Sequence, residues 1–149
     1  MRERFANELK AAMKASDKRR VATIRMIMAA LKEREIEARG QGKALAEDNI
    51  MALLQKLIRS RRESQEIYEK AGRPDLAAQE AEEISIIDSF LPQQLSESEM
   101  DGAIAAAIEK TGASSVKDMG KVVGALKGEY AGRMDFAKAS ARVKAILSA

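Results

Sequence analysis

The chain has 149 residues, a net charge of +3, 46% apolar residues and 3% aromatics, and it contains neither cysteine nor histidine. These counts exclude disulfides, cysteine-based metal sites, thiol chemistry and any mechanism with an imidazole base. Alanine, leucine, isoleucine, methionine, glutamate, lysine and arginine dominate, which predicts an all-α protein of one domain or two small ones.

The first predicted helix covers residues 2–15, with Phe5, Leu9 and Met13 as its apolar stripe. Ser16 or Asp17 caps a second helix over 18–38, whose stripe is Val21, Ile24, Ile27, Met28 and Leu31 and which ends at Gly40 and Gly42. These two are expected to pair antiparallel. A third helix is predicted over 46–71, with Ile50, Leu53, Leu54, Leu57, Ile58 and Tyr68 inward and Gly72 as its stop. Its middle carries Lys56, Arg59, Arg61 and Arg62, either a secondary phosphate-binding patch or an ordinary solvated, salt-bridged face. Arg61 falls on the stripe of Leu54 and Ile58, so it either pairs with an acid or marks where the helix leaves the core.

Pro74 and Asp75 open a fourth helix, RPDLAAQEAEEISIIDSF, which ends before Pro92. Proline disfavours helix at Leu91, and a capping box follows at Ser96 and Glu99, so the domain boundary is placed at 92–96. This gives an N-terminal domain of about four helices over 1–91 and a C-terminal three-helix unit over 97–149. The three helices are predicted over 97–111, 115–130 and 135–148, separated by Gly112 and Gly132. Their stripes are Met100, Ile104 and Ile108, then Val122 and Leu126, then Phe136, Val143, Ile146 and Leu147.

The segment KDMGKVVGALKGEYAGR carries Gly120, Gly124, Gly128 and Gly132 at every fourth position. A glycine inside a helix costs roughly 1 kcal/mol relative to alanine, so such a row points to a use for the bare face. At about 100° per residue the glycines share a side with Lys117 and Lys121, with Lys127 at its edge, while Met119, Val122, Val123, Leu126 and Tyr130 lie opposite. One reading is a seat for a phosphate backbone, approached closely along the glycines and met by the lysines. The other is tight packing against a second helix.

Charge is distributed in blocks: +7 over residues 1–73, −8 over 74–101 and +4 over 102–149. Such an order suits an anionic partner gripped at both ends, or two parts drawn together through the acidic strip. The amino-terminal MRERFANELK is charged and amphipathic without an apolar h-region, and no apolar run approaches the roughly 18 residues of a membrane span. The expectation is a soluble, cytoplasmic protein without membrane contact.

The run KAGRPDLAAQEAEEISIIDSFLPQQLSESEM, together with MGKVVGALKGEYAGRMD, resembles the GatB/YqeY family over nearly the whole chain. The resemblance implies an amino-terminal helical domain and a carboxy-terminal unit similar to the tail domain of the B subunit of the tRNA-dependent amidotransferase, which helps recognise tRNA. Gly120, Lys121, Gly124, Lys127, Gly132 and Arg133 match the family motif. Phe136 departs from it, standing where the family commonly has a small residue. The resemblance also implies a carbon–nitrogen ligase with glutamine as amido-N-donor, and the residues do not support an independent enzyme of that kind. Without cysteine or histidine only Ser114 and Ser115 near Lys117 offer a nucleophile, and a serine pair at a helix start is ordinarily a cap. The glycine spacing is not a Walker-type loop, so no nucleotide or other cofactor is expected. Glu82 and Glu83, adjacent on a helix, should point apart and make a poor metal cage.

Three functions follow as expectations. The first is an accessory module that binds tRNA or another structured RNA by shape and phosphate through Lys117, Gly120, Lys121, Gly124, Lys127, Gly128, Gly132 and Arg133; the scarcity of aromatics disfavours base stacking. The second is a protein adaptor in a translation or amidation complex. The third is the glutamine-dependent ligase.

Overall fold

Leucine- and isoleucine-rich stripes broken by short polar turns give seven α-helices and no strand in the computed structural model, which describes all 149 residues. The chain divides into two compact units, Met1–Leu91 and Pro92–Ala149.

The first unit holds α1 (Arg2–Lys14), α2 (Lys18–Gly40), α3 (Glu47–Lys70) and α4 (Pro74–Asp88). Asp17 caps α2, its carboxylate accepting from the Arg20 amide at 3.1 Å. α1 and α2 run antiparallel, which the ion pairs Arg2–Glu35 and Glu8–Arg20 record at opposite ends of the pair. Steps of four residues drift by about 40° on a helix, so α1 buries Phe5 and Ala12 and leaves Met13 exposed, against the expected stripe. Phe5, Ile24, Ile27, Ile50, Leu54, Ile87 and Phe90 form the fully buried centre. The Phe5 and Phe90 rings meet edge to face with centroids 4.9 Å apart.

α4 stops at Asp88, two residues earlier than the sequence suggests. Phe90 and Leu91 close the end through tighter bonds to the Ile87 and Asp88 carbonyls, and the Arg4 guanidinium donates to the Ser89 and Phe90 carbonyls at 2.7 and 3.1 Å. Pro92 forbids continuation. Phe90 and Leu91 are thereby turned into the core.

The second unit holds α5 (Glu97–Thr111), a 3₁₀ turn (Val116–Asp118), α6 (Met119–Tyr130) and α7 (Phe136–Leu147). The capping box is present: Ser96 Oγ accepts from the Glu99 amide and the Glu99 carboxylate accepts from the Ser96 amide, both at 3.1 Å. Gly112 ends α5 at φ +66°. Met100, Ile104, Val122, Leu126, Met134, Ala139 and Val143 make the core. Ile146, expected inward, is exposed, and the small Ala139 takes the inner position on α7. Glu97 bridges α5 to Lys138 and Arg142 of α7, and these cations hold its carboxyl below the usual range.

Residues 93–95 belong to this second unit by hydrogen bonding. The Leu95 backbone amide donates to the Arg133 carbonyl at 2.9 Å, the Gln94 side-chain amide to the Gly132 carbonyl at 2.5 Å, and Arg133 Nε to the Gln93 carbonyl at 3.0 Å. No helix is long and apolar enough to cross a membrane.

Candidate nucleic-acid interface

α6 meets its own unit through Val122 and Leu126, both essentially without exposure, with Met119 and Tyr130 packed beside them. On the other side of the helix, Gly120, Gly124 and Gly128 are exposed, as are Lys121 and Lys127. A Cβ added to any of the three glycines would meet no atom within 4 Å. The row is therefore not a packing surface within its own unit. Three such positions cost α6 up to roughly 3 kcal/mol of intrinsic helix propensity relative to alanine, with no contact inside the unit to offset it.

The structure separates the outer members of the predicted row from this face. Lys117 lies on the 3₁₀ turn ahead of α6. There Asp118 accepts from the Ser114 and Ser115 amides at 3.0 and 3.2 Å, bonds that hold its carboxyl below its ordinary range. Ser115 stands at the head of the turn. The serine pair and Lys117 thus frame a helix start. Gly132 is buried beyond the end of α6 at φ +76°, a conformation suited to glycine, where its carbonyl receives Gln94. Arg133 is half-buried and donates its Nε hydrogen to the Gln93 carbonyl. Both positions build the turn that anchors residues 93–95.

The secondary basic patch on α3 also divides. Lys56, Arg59 and Arg62 lie toward solvent, whereas Arg61 turns inward, donating to Glu83 at 3.2 Å and to the Leu57 carbonyl at 3.4 Å. Pairing with an acid is thus the reason Arg61 tolerates a place on the apolar stripe. Glu82 and Glu83, expected to point apart, both reach the single Arg19 guanidinium, at 3.5 and 3.8 Å. Long side chains converge on a shared cation although their Cβ directions differ by about 100°. Arg34 on α2 joins Lys56 and Arg59 around one recess, a cross-helix grouping with no signal in local spacing.

The family model for the YqeY-like protein matches residues 2–147. The chain belongs to the YqeY-like family. Within it, the chain is similar to "Altered inheritance of mitochondria protein 41, mitochondrial" of Lachancea thermotolerans, at 41% identity over 65% of this chain and 52% of the relative. The protein of the same name from Vanderwaltozyma polyspora is 30% identical over 75% of this chain and 63% of its own length. That of Eremothecium gossypii is 36% identical over 56% and 45%. The YqeY-like chain therefore aligns with about half to two thirds of these relatives. The expectation of a cytoplasmic protein is corrected by this comparison, because the relatives are mitochondrial by name. MRERFANELK, on which that expectation leaned, forms α1 of the first unit and carries no information about compartment.

Proposed function

We propose that this YqeY-like protein is a two-domain helical module, residues 1–91 and 92–149, whose C-terminal domain binds structured RNA, with tRNA as the partner class. The observation that carries this reading is the open glycine face of α6. Gly120, Gly124 and Gly128 have nothing within 4 Å of where a Cβ would stand and are flanked by Lys121 and Lys127. A phosphate backbone gains from close approach to bare helix and from nearby ammonium groups, and asks for no aromatic platform. The resemblance of this unit to the tail domain of the amidotransferase B subunit supports the same class of partner. Ser114 and Ser115 serve the helix start, which leaves amide transfer out of this reading.

The same bare face also suits the close approach of a helix from a partner protein, the adaptor reading. A titration of total tRNA at low and moderate salt separates the two, run beside a variant carrying Lys121→Glu and Lys127→Glu. Binding that weakens with salt and disappears in the variant is expected. Absence of binding even at low salt would sink the RNA reading, and salt-insensitive capture of a protein in RNA-free extract would replace it with the adaptor.

A further inference from the structure

Two recesses lie side by side in the groove between α2 and α3, sharing Arg34, Leu53 and Lys56 as common wall. The smaller, about 270 Å³, is bordered by Arg34, Lys56 and Arg59 over an apolar floor of Leu45, Ala52 and Leu53, and no carboxylate lines it. The larger, about 510 Å³, adds Glu33, Glu37 and Ser60 around Ala30 and Leu57. The smaller recess is thus cationic, and the larger sets Glu33 and Glu37 beside the same Arg34 and Lys56.

That polarity selects the occupant. A polyanion laid along the groove would gain at Arg34 and Lys56 but continue past Glu33 and Glu37, where like charge repels it. A molecule with one anionic head and a body bearing hydroxyl or amino donors meets a complementary group at both ends. Arg34 and Lys56, which line both recesses, match the charge of a phosphomonoester, about −1.5 to −2 at neutral pH, better than the single charge of a carboxylate. Leu53 and Leu57 supply apolar area between the two ends, and the joined recesses are of the size ligand sites have.

The geometry points to a binding site for a small phosphomonoester with a donor-bearing body, of the nucleoside monophosphate class, held at its phosphate by Arg34, Lys56 and Arg59 and at its body by Glu33, Glu37 and Ser60. The site uses none of the residues of the α6 face, so it stands or falls independently of RNA binding there.

The test is a titration of the full chain followed by amide nuclear magnetic resonance, with adenosine monophosphate, adenosine and inorganic phosphate as separate probes. Saturable shifts around Arg34, Asn49, Leu53 and Lys56 are expected with the monophosphate, with weaker effects at the same amides from phosphate alone. Arg34→Ala and Lys56→Ala should each weaken the monophosphate by about tenfold with circular dichroism unchanged. Glu33→Gln combined with Glu37→Gln should weaken the monophosphate while leaving phosphate as it was. The proposal is overturned by the absence of saturable shifts at millimolar monophosphate, by inorganic phosphate binding as tightly as the monophosphate, or by shifts confined to α6. Loss of tRNA binding in Arg34→Ala without any response to the monophosphate would hand the recess to RNA instead.

Discussion

At Glu80 one carboxylate oxygen is buried without a hydrogen-bond partner, because Arg61, the nearby cation, gives its Nε hydrogen to Glu83. Burial and then the neighbouring Glu83 push the Glu80 carboxyl above the usual 4.5, with Arg61 opposing. A raised folded-state value means that the unfolded chain releases this proton first as pH rises. Stability from this group is therefore fully present below the unfolded value and declines through the window above 4.5, leaving the folded state at its full disadvantage at neutral pH. Glu80→Gln keeps the shape and removes the charge. Thermal denaturation should show the variant melting about 1 to 2 °C higher at pH 7 and no higher at pH 4, a small effect because much of the side chain stays in water. A melting gain of the same size at both pH values would assign it to something other than ionisation. Arg61 belongs to the same cluster and teaches the opposite lesson, since Arg61→Ala would leave Glu83 to the more distant Arg19 and Glu80 without the cation that opposes its raised pKa, and is expected to destabilise at neutral pH.

Helix α6 gives a test in which stability and function should move in opposite directions. Alanine at Gly120, Gly124 or Gly128 meets open space, so each substitution should strengthen the helix by up to about 1 kcal/mol, or about 2 to 4 °C in melting temperature. If the bare face receives an RNA backbone, the triple alanine variant melts higher and binds tRNA more weakly. A triple variant that melts higher and binds unchanged would remove the glycines from the interface. Much of this element was legible beforehand: the apolar period placed Val122 and Leu126 inward, and the glycine–lysine rows placed the opposite face outward. Its ends were not. Asp118 is drawn back by the Ser114 and Ser115 amides, which tightens the first turn to 3₁₀ and takes Lys117 off the helix, and a helical wheel has no means of showing that competition. Gly132 continued the fourfold spacing yet serves as a turn, where left-handed backbone and a carbonyl offered to Gln94 matter more than the face it projects to. Capping signals, by contrast, were local enough to read, as Ser96 with Glu99 and Asp17 show. The α2–α3 recess was not, because Arg34 and Lys56 meet only once two helices are folded together.

For the whole molecule, the charge blocks of the sequence acquire a meaning that neither of the two sequence readings supplied. The acids of α4 are met within the first unit, Glu82 and Glu83 by Arg19 and Glu83 again by Arg61, and those of α5 within the second, Glu97 and Asp101 by Arg142. Internal pairing thus consumes much of the acidic strip and leaves a surplus of exposed lysine on a chain of isoelectric point about 9.2. If RNA is the partner, its affinity rests on counterions released by that surplus, so the logarithm of the binding constant should fall linearly with the logarithm of salt. Lys121→Gln with Lys127→Gln removes two exposed cations from the α6 face without introducing repulsion. The slope should then become shallower by about 1.4 to 1.8, the amount for two phosphate contacts on single-stranded or duplex nucleic acid. Lys10→Gln with Lys14→Gln, an equal change of net charge on α1, should lower affinity only slightly and leave the slope within error. Equal slopes in the two variants would mean that net charge alone attracts the RNA and that α6 holds no phosphate in particular.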